Sequence, residues 1–217
     1  LFLRRAILHL PARPQRRAGL YRFNAFRTAS MTASSPMALT TQATDVVAFW
    51  ADAGPQQWYR KSDAFDAEFR QRFETAHWAA ASRQLDAWQE DADGALALMI
   101  LLDQFPRNAY RGTAHMFATD PLAQYFAERA IAAGHDLAVQ PVMRQFFYMP
   151  FEHSESLVMQ NRGVALMEPL EPDTLRWAIL HRDIIKRFGR FPHRNAVLGR
   201  QTTQAEHEFL AAGGFAG

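Results

Sequence analysis

The chain is predicted to be all-α, built from stacked antiparallel helix pairs arranged as a bundle or an irregular solenoid. Three observations predict this. Apolar residues recur at steps of three and four in most segments. Those segments open on capping residues or a first-turn proline and close on Gly or Pro. No alternating apolar–polar run flanked by hairpin turns is present.

The elements follow in order. Thr44 or Asp45 can cap a short helix over 46–51, which Gly54-Pro55 ends. Ser62 or Asp63 can cap the next, in which Phe65, Phe69, Phe73, Ala76 and Ala80 form one stripe opposite Glu68, Arg70, Arg72 and Glu74. Asp91 or Asp93 opens the run 94–104, apolar all round as suits a helix enclosed by others. Asp120-Pro121 reads as a cap and a first-turn proline for a helix over 121–133, with Gly134 behind it. Helices are predicted over 141–149 and 152–168, separated by Pro150, with Ser154 able to cap the second. Pro172 and Gly189 bracket a helix over 172–188. Thr203 and Glu206 have capping-box spacing for a last short helix. No fixed repeat period runs through these segments, which excludes a regular repeat array. No linker interrupts them, so 37–217 is expected to be a single all-helical domain.

Composition narrows the chemistry. Cysteine is absent, which excludes a disulfide frame, a thiolate zinc site and a cysteine nucleophile. The formal charge of +2 conceals an asymmetry: residues 1–30 hold seven arginines and no acid, leaving 17 basic against 22 acidic residues in the rest. An acidic body argues against nucleic acid as a partner, because phosphate binding needs a basic face. Residues 1–36 are expected to be a disordered basic tail or upstream sequence read from a misplaced start, with Met31 and Met37 as alternative starts. Such a segment would also suit an organellar presequence or an anionic surface. The body is expected to be cytoplasmic, or organellar if the presequence reading holds. Its longest apolar run, 95–102, is far short of the about 20 residues a membrane helix needs, so no membrane association is expected.

Phosphate-loop, dinucleotide, His-Glu-x-x-His and Gly-x-Ser-x-Gly signatures are all absent. What remains is a phrase used twice: Phe105-Pro106-Arg107-Asn108, and Phe191-Pro192-His193-Arg194-Asn195. Each follows an apolar segment and places a guanidinium, the side chain best suited to bidentate carboxylate or phosphate binding, where a buried helix surfaces. Asp103 and Gln104 stand beside the first copy; a helix C-terminus with a structural Asp103–Arg107 pair would explain the same residues. Glu152-His153-Ser154-Glu155 follows a dense aromatic stretch. His153 with Glu155 suits a general acid–base pair, and helix capping explains Glu155 equally well. His181 sits in the apolar stripe of its helix, two turns before the second phrase. His153, Glu155, His181, Asp183 and His193 are metal-ligand types, but their spacing matches no helix-borne ligand pair, so neither a metal nor a cofactor is expected.

These motifs resemble a known family. Phe49-Trp50 with Trp58-Tyr59, the stretch from Leu101 to Asn108, His153-Ser154-Glu155, and His181-Arg182-Asp183 running into the second phrase are similar to the landmarks of the mainly bacterial "domain of unknown function 924". The resemblance spans about residues 45–210 and implies an all-helical, tetratricopeptide-like fold with no established activity. Members begin just before the Phe-Trp segment, which favours a start near Met31 or Met37. This chain departs from the pattern at Glu152, where the family has a hydrophobic residue.

The functional expectation is one cleft lined by both phrases and the His-Ser-Glu segment. Arg107 and Arg194 would hold the phosphate or carboxylate of a small molecule. Gln104, Asn108 and Asn195 would orient it and Asp103 would orient Arg107. His153 with Glu155 would move protons, and His193 would be a further anion contact or proton donor. His181 and Asp183 would support them from behind. Hydrolysis or group transfer is the expected reaction class. The alternative is a helical interaction module that holds a peptide carboxylate without catalysis.

Overall fold

The computed structural model describes residues 40–217, and every regular element among them is helical. The expectation for residues 1–36 lies outside the described residues. Among those described, no helix is long and apolar enough to cross a membrane.

Local signals explain most of the boundaries. Helix α1 (Ala43–Ala53) begins one turn earlier than expected, because the Gln42 N–H donates to the Asp45 carboxylate at 2.8 Å. Gly54, at φ 68°, turns the chain into α2 (Pro55–Trp58). Ser62 caps α3 (Asp63–Ala81) by accepting from the Phe65 N–H, and Phe69, Phe73, Ala76 and Ala80 bury its stripe. Asp91 caps α4 (Ala92–Met99) by accepting from the Gly94 N–H at 2.8 Å. A Cβ on Gly94 would overlap the Trp88 carbonyl, a rigid backbone group. Gly94→Ala is therefore expected to cost about 1–3 kcal/mol as an overpacking change. Urea denaturation that finds the variant as stable as the wild type would refute this close packing.

Helix α4 lies at the centre of the core, packed against α1, α6 (Asp120–Ala132), α7 (His135–Ala138) and α8 (Gln145–Glu152). Between α4 and α5 (Phe105–Ala109) the sequence suggests one continuous helix, and the structure widens it into a π-turn over Ile100–Gln104. Pro106 explains the break: it has no N–H to return to Leu102, and its ring crowds that carbonyl. Three carbonyls freed here are taken by side chains. Leu101 O meets His77 Nδ1 at 2.8 Å, Leu102 O accepts from the Thr119 hydroxyl at 2.5 Å, and Asp103 O accepts from Arg107 Nη1 at 2.7 Å. The bulge is thereby tied to α3 and to the segment before α6, with Arg107 closing back on it from the next turn.

Pro150 does not separate two helices. It lies inside α8, where burial of Phe146, Phe147 and Phe151 outweighs the hydrogen bond it forfeits. The break falls at residues 153–156, and α9 (Leu157–Met167) starts after Ser156 rather than at Glu152. Helix α9 packs on α8 and on α10 (Pro172–Phe188), which Gly189 ends in the left-handed conformation. The predicted Thr203–Glu206 box caps α11 (Gln204–Ala211), with Oγ1 accepting from the Glu206 N–H and Glu206 Oε2 accepting from the Thr203 N–H.

Candidate functional site

The two Phe-Pro phrases meet at one carboxylate. In each copy the phenylalanine, Phe105 or Phe191, is fully buried, and the proline opens a short helical turn that swings the arginine inward. Arg107 reaches Asp120 at 2.9 Å and Arg194 reaches the same carboxylate at 3.3 Å. Asp120 reads from the sequence as a helix cap; it makes no capping bond and instead sits between two guanidinium groups. The aspartate is at the start of α6, where the helix dipole also favours a negative charge. Arg107 additionally lies 3.1 Å from Asp103, and Arg194 Nη2 donates to the His153 carbonyl at 3.0 Å.

Asp103 joins this network to His153. The imidazole Nδ1 is 2.8 Å from Asp103 Oδ1, while Gln104 donates to Oδ2 at 2.6 Å. Burial would raise the Asp103 pKa, but Arg107 and then His153 outweigh it and hold the carboxyl at about 2. Burial, then the Arg107 charge, pulls His153 below its ordinary value, against the opposing pull of Asp103. Near neutral pH the ring is uncharged. An ionised Asp103 only accepts, so the ring proton belongs on Nδ1 and the lone pair on Nε2. Nε2 makes no hydrogen bond to protein among the described residues, and His153 lines two cavities.

The larger cavity, about 580 Å³, lies between α2, α5, α8 and α10. Gln104, Arg107, Asn108, Glu152, His153 and His181 line it, with Trp58, Tyr59, Trp177 and Phe215 as aromatic walls. The smaller, about 410 Å³, takes Asp120, His153, Ser154, Glu155 and Arg194. His153 is thus shared between the cavities, Arg107 faces the first and Arg194 the second.

The partner of His153 is Asp103 rather than Glu155. Glu155 lies in the loop before α9, chelated by Arg200 at 2.6 and 2.9 Å and accepting from the Phe191 N–H. That arrangement clamps the second phrase to the His-Ser-Glu loop. The asparagines are also committed: Asn108 donates to Asp66 at 2.7 Å, and Asn195 donates to Glu206 at 3.2 Å. The His193 ring packs against Phe191 and Phe215, and burial, reinforced by Arg194, holds its pKa at about 3, so it carries no charge for an anion. Asp183 pairs with its neighbour Arg182 on the exposed side of α10, away from the cavity. His181 is buried with Nδ1 3.0 Å from Glu152 and its ring 6.3 Å from that of His153. Among the described residues no three His, Asp or Glu side chains gather as a metal-ligand set.

Asp120, Arg200 and Glu206 were not read from the sequence as parts of this network. The available signal was charge balance: two buried arginines in an acidic body need acids, and Asp120 heads the first helix after Arg107.

Fold and site together define an all-α protein with a buried Asp–Arg–His network set between two cavities. The family model described as a bacterial protein of unknown function, DUF924, matches residues 46–214, and the chain belongs to that family. A solved structure of a protein of unknown function from Agrobacterium tumefaciens is similar to it, with 55% identity and a TM-score of 0.77 over 78% of this chain and 97% of that one. No curated protein matches the chain.

Proposed function

We propose that the larger cavity is a general acid–base site acting on a small polar metabolite. The observation that carries this reading is the Asp103–His153 pair, with Nδ1 2.8 Å from a buried carboxylate and Nε2, at the cavity wall, free of partners among the described residues. A carboxylate fixes the tautomer and orientation of an imidazole base and stabilises the imidazolium that forms when it takes a proton. His181, with its own Nδ1 beside Glu152, lines the same cavity and would support the site from behind. Hydrolysis or group transfer suits such a pair.

The expected anionic group on the substrate has a narrower place than two open arginines would give it. Asp103 and Asp120 already neutralise Arg107 and Arg194, although Arg107 keeps its Nε–H free of protein acceptors among the described residues. An anion would therefore be oriented by Arg107 and not captured by its full charge. A peptide-binding module has less support, since His153, His181 and Glu152 are largely buried within a cavity of small-molecule volume rather than spread along a groove.

The test is turnover. Full-length protein incubated with a cell metabolite extract and followed by mass spectrometry should deplete particular compounds. His153→Asn should lose about 10²–10⁴-fold of that rate, as removal of a positioned base does. No depletion by wild type, or equal depletion by the variant, would overturn the assignment.

A further inference from the structure

We infer that the molecule occupying the larger cavity carries a cationic amine, with Glu152 as its counter-ion. This rests on the acid–base reading for the location of the site and on a different group for its argument.

Glu152 is a buried carboxylate, its side chain 7% exposed, and it lines the cavity. Its sole ion-pair contact among the described residues is His181 Nδ1 at 3.0 Å. That same nitrogen stands 2.9 Å from the Trp177 carbonyl and is aligned with it. One ring nitrogen carries at most one proton, and here it points along the helix. Glu152 is left without an aligned hydrogen-bond donor. Its neighbours are not: Asp103 accepts from Gln104 and meets His153, Asp120 accepts from two arginines, and Glu155 accepts from Arg200 and a backbone N–H. A buried carboxylate is retained at a cost unless something donates to it. Here the open side of the carboxylate is the cavity.

Charge points the same way. The buried cluster holds three carboxylates, Asp103, Asp120 and Glu152, against two guanidinium groups, Arg107 and Arg194, a surplus of one acidic group. An ammonium group on the ligand removes that surplus and an anion doubles it. The walls suit a cation as well. Trp58, Tyr59, Trp177 and Phe215 face the cavity, and aromatic faces attract desolvated ammonium groups. Arg107 lines the same cavity, so a zwitterion would set its carboxylate toward Arg107 and its ammonium group at Glu152.

Choline and its neutral isostere 3,3-dimethylbutan-1-ol are the probes, titrated at millimolar concentrations into the full-length protein with melting temperature and tryptophan fluorescence as readouts. Choline is expected to raise the melting temperature saturably. The alcohol should bind at least about tenfold more weakly, because it keeps the shape and loses the charge. Glu152→Gln should abolish the choline response. Without ligand, that variant should melt at the same temperature as wild type or higher, because it removes an uncompensated buried charge. A carboxylate retained only to hold His181 would give the opposite result, a lowered melting temperature. The inference is overturned by no choline response, by an equal response to the alcohol, by an unchanged response in Glu152→Gln, or by a lowered melting temperature of that variant. If choline fails while His153→Asn still abolishes metabolite turnover, the amine falls and the acid–base reading stands. If choline binds and nothing is turned over, the amine stands and the acid–base reading falls.

Discussion

Asp120→Ala is expected to destabilise the protein by about 3–5 kcal/mol, the range for removing one partner of a buried ion pair. The substitution leaves Arg107 and Arg194, with side chains 15% and 7% exposed, sharing a site without the carboxylate between them. Arg107 would keep Asp103, but Arg194 would keep only the His153 carbonyl. Burial, then repulsion from Arg107, already lowers the Arg194 pKa to about 10 with Asp120 in place. Arg194 Nε is also buried without a partner among the described residues. Asp120→Asn should recover the hydrogen bonds but not the charge, and fall between. In the Asp120→Ala background, Arg194→Met should restore part of the loss, giving a coupling of about 0.5–3 kcal/mol in a double-mutant cycle. Urea denaturation of the four proteins is the measurement. A loss below 1 kcal/mol for Asp120→Ala, against the range expected for a buried pair, would mean that the two guanidinium groups are solvated.

The second large effect is acid sensitivity. Four histidines have folded-state pKa values below the ordinary one. Burial is the largest cause in each, aided by Arg107 at His153, by Arg194 at His193 and by His115 at His77. A depressed histidine binds fewer protons in the folded than in the unfolded chain. Its contribution is fully present above the unfolded value of about 6.5 and is withdrawn as pH falls toward the folded value. For His193 that window runs from 6.5 down to about 3. At about 1.4 kcal/mol per unit, it alone amounts to a few kcal/mol. Asp103, held at about 2, adds a loss of the same sign at still lower pH, beginning near its ordinary 3.8. Stability measured by denaturant at pH 8, 6.5, 5 and 4 should be level across the first interval and fall steeply across the others. His193→Leu should flatten the lower part of the curve and cost little at pH 8, because the buried Nδ1 has no partner to lose among the described residues. A level profile down to pH 4 would show that these imidazoles are open to water.

Most of the helices were legible because their signals are local. Ser62, Asp91, Gly189 and the Thr203–Glu206 box each act within a few residues, and each does in the structure what its sequence position predicts. Where prediction failed, a longer-range balance decided. Pro150 reads as a breaker, yet it stays within α8 because Phe146, Phe147 and Phe151 bury around it. The run 94–104 reads as one enclosed helix, yet Pro106 opens it into a π-turn whose carbonyls are met by His77 and Thr119 from elsewhere in the fold and by Arg107 from the next turn.

The same division holds at the candidate site. By itself the sequence determined that the described chain is helical and singled out Asp103, Arg107, His153 and Arg194 as polar residues next to apolar segments, because residue type and helical period carry that information. The Asp103–Arg107 pair, four residues apart, is local, but only the tertiary structure decided the long-range pairs. His153 pairs with Asp103 across 50 residues instead of with Glu155 two residues away, and Arg194 finds Asp120 across 74. The physical reason is that a buried charge is stabilised by whichever opposite group the packing brings within about 3 Å, at a cost of several kcal/mol if none arrives.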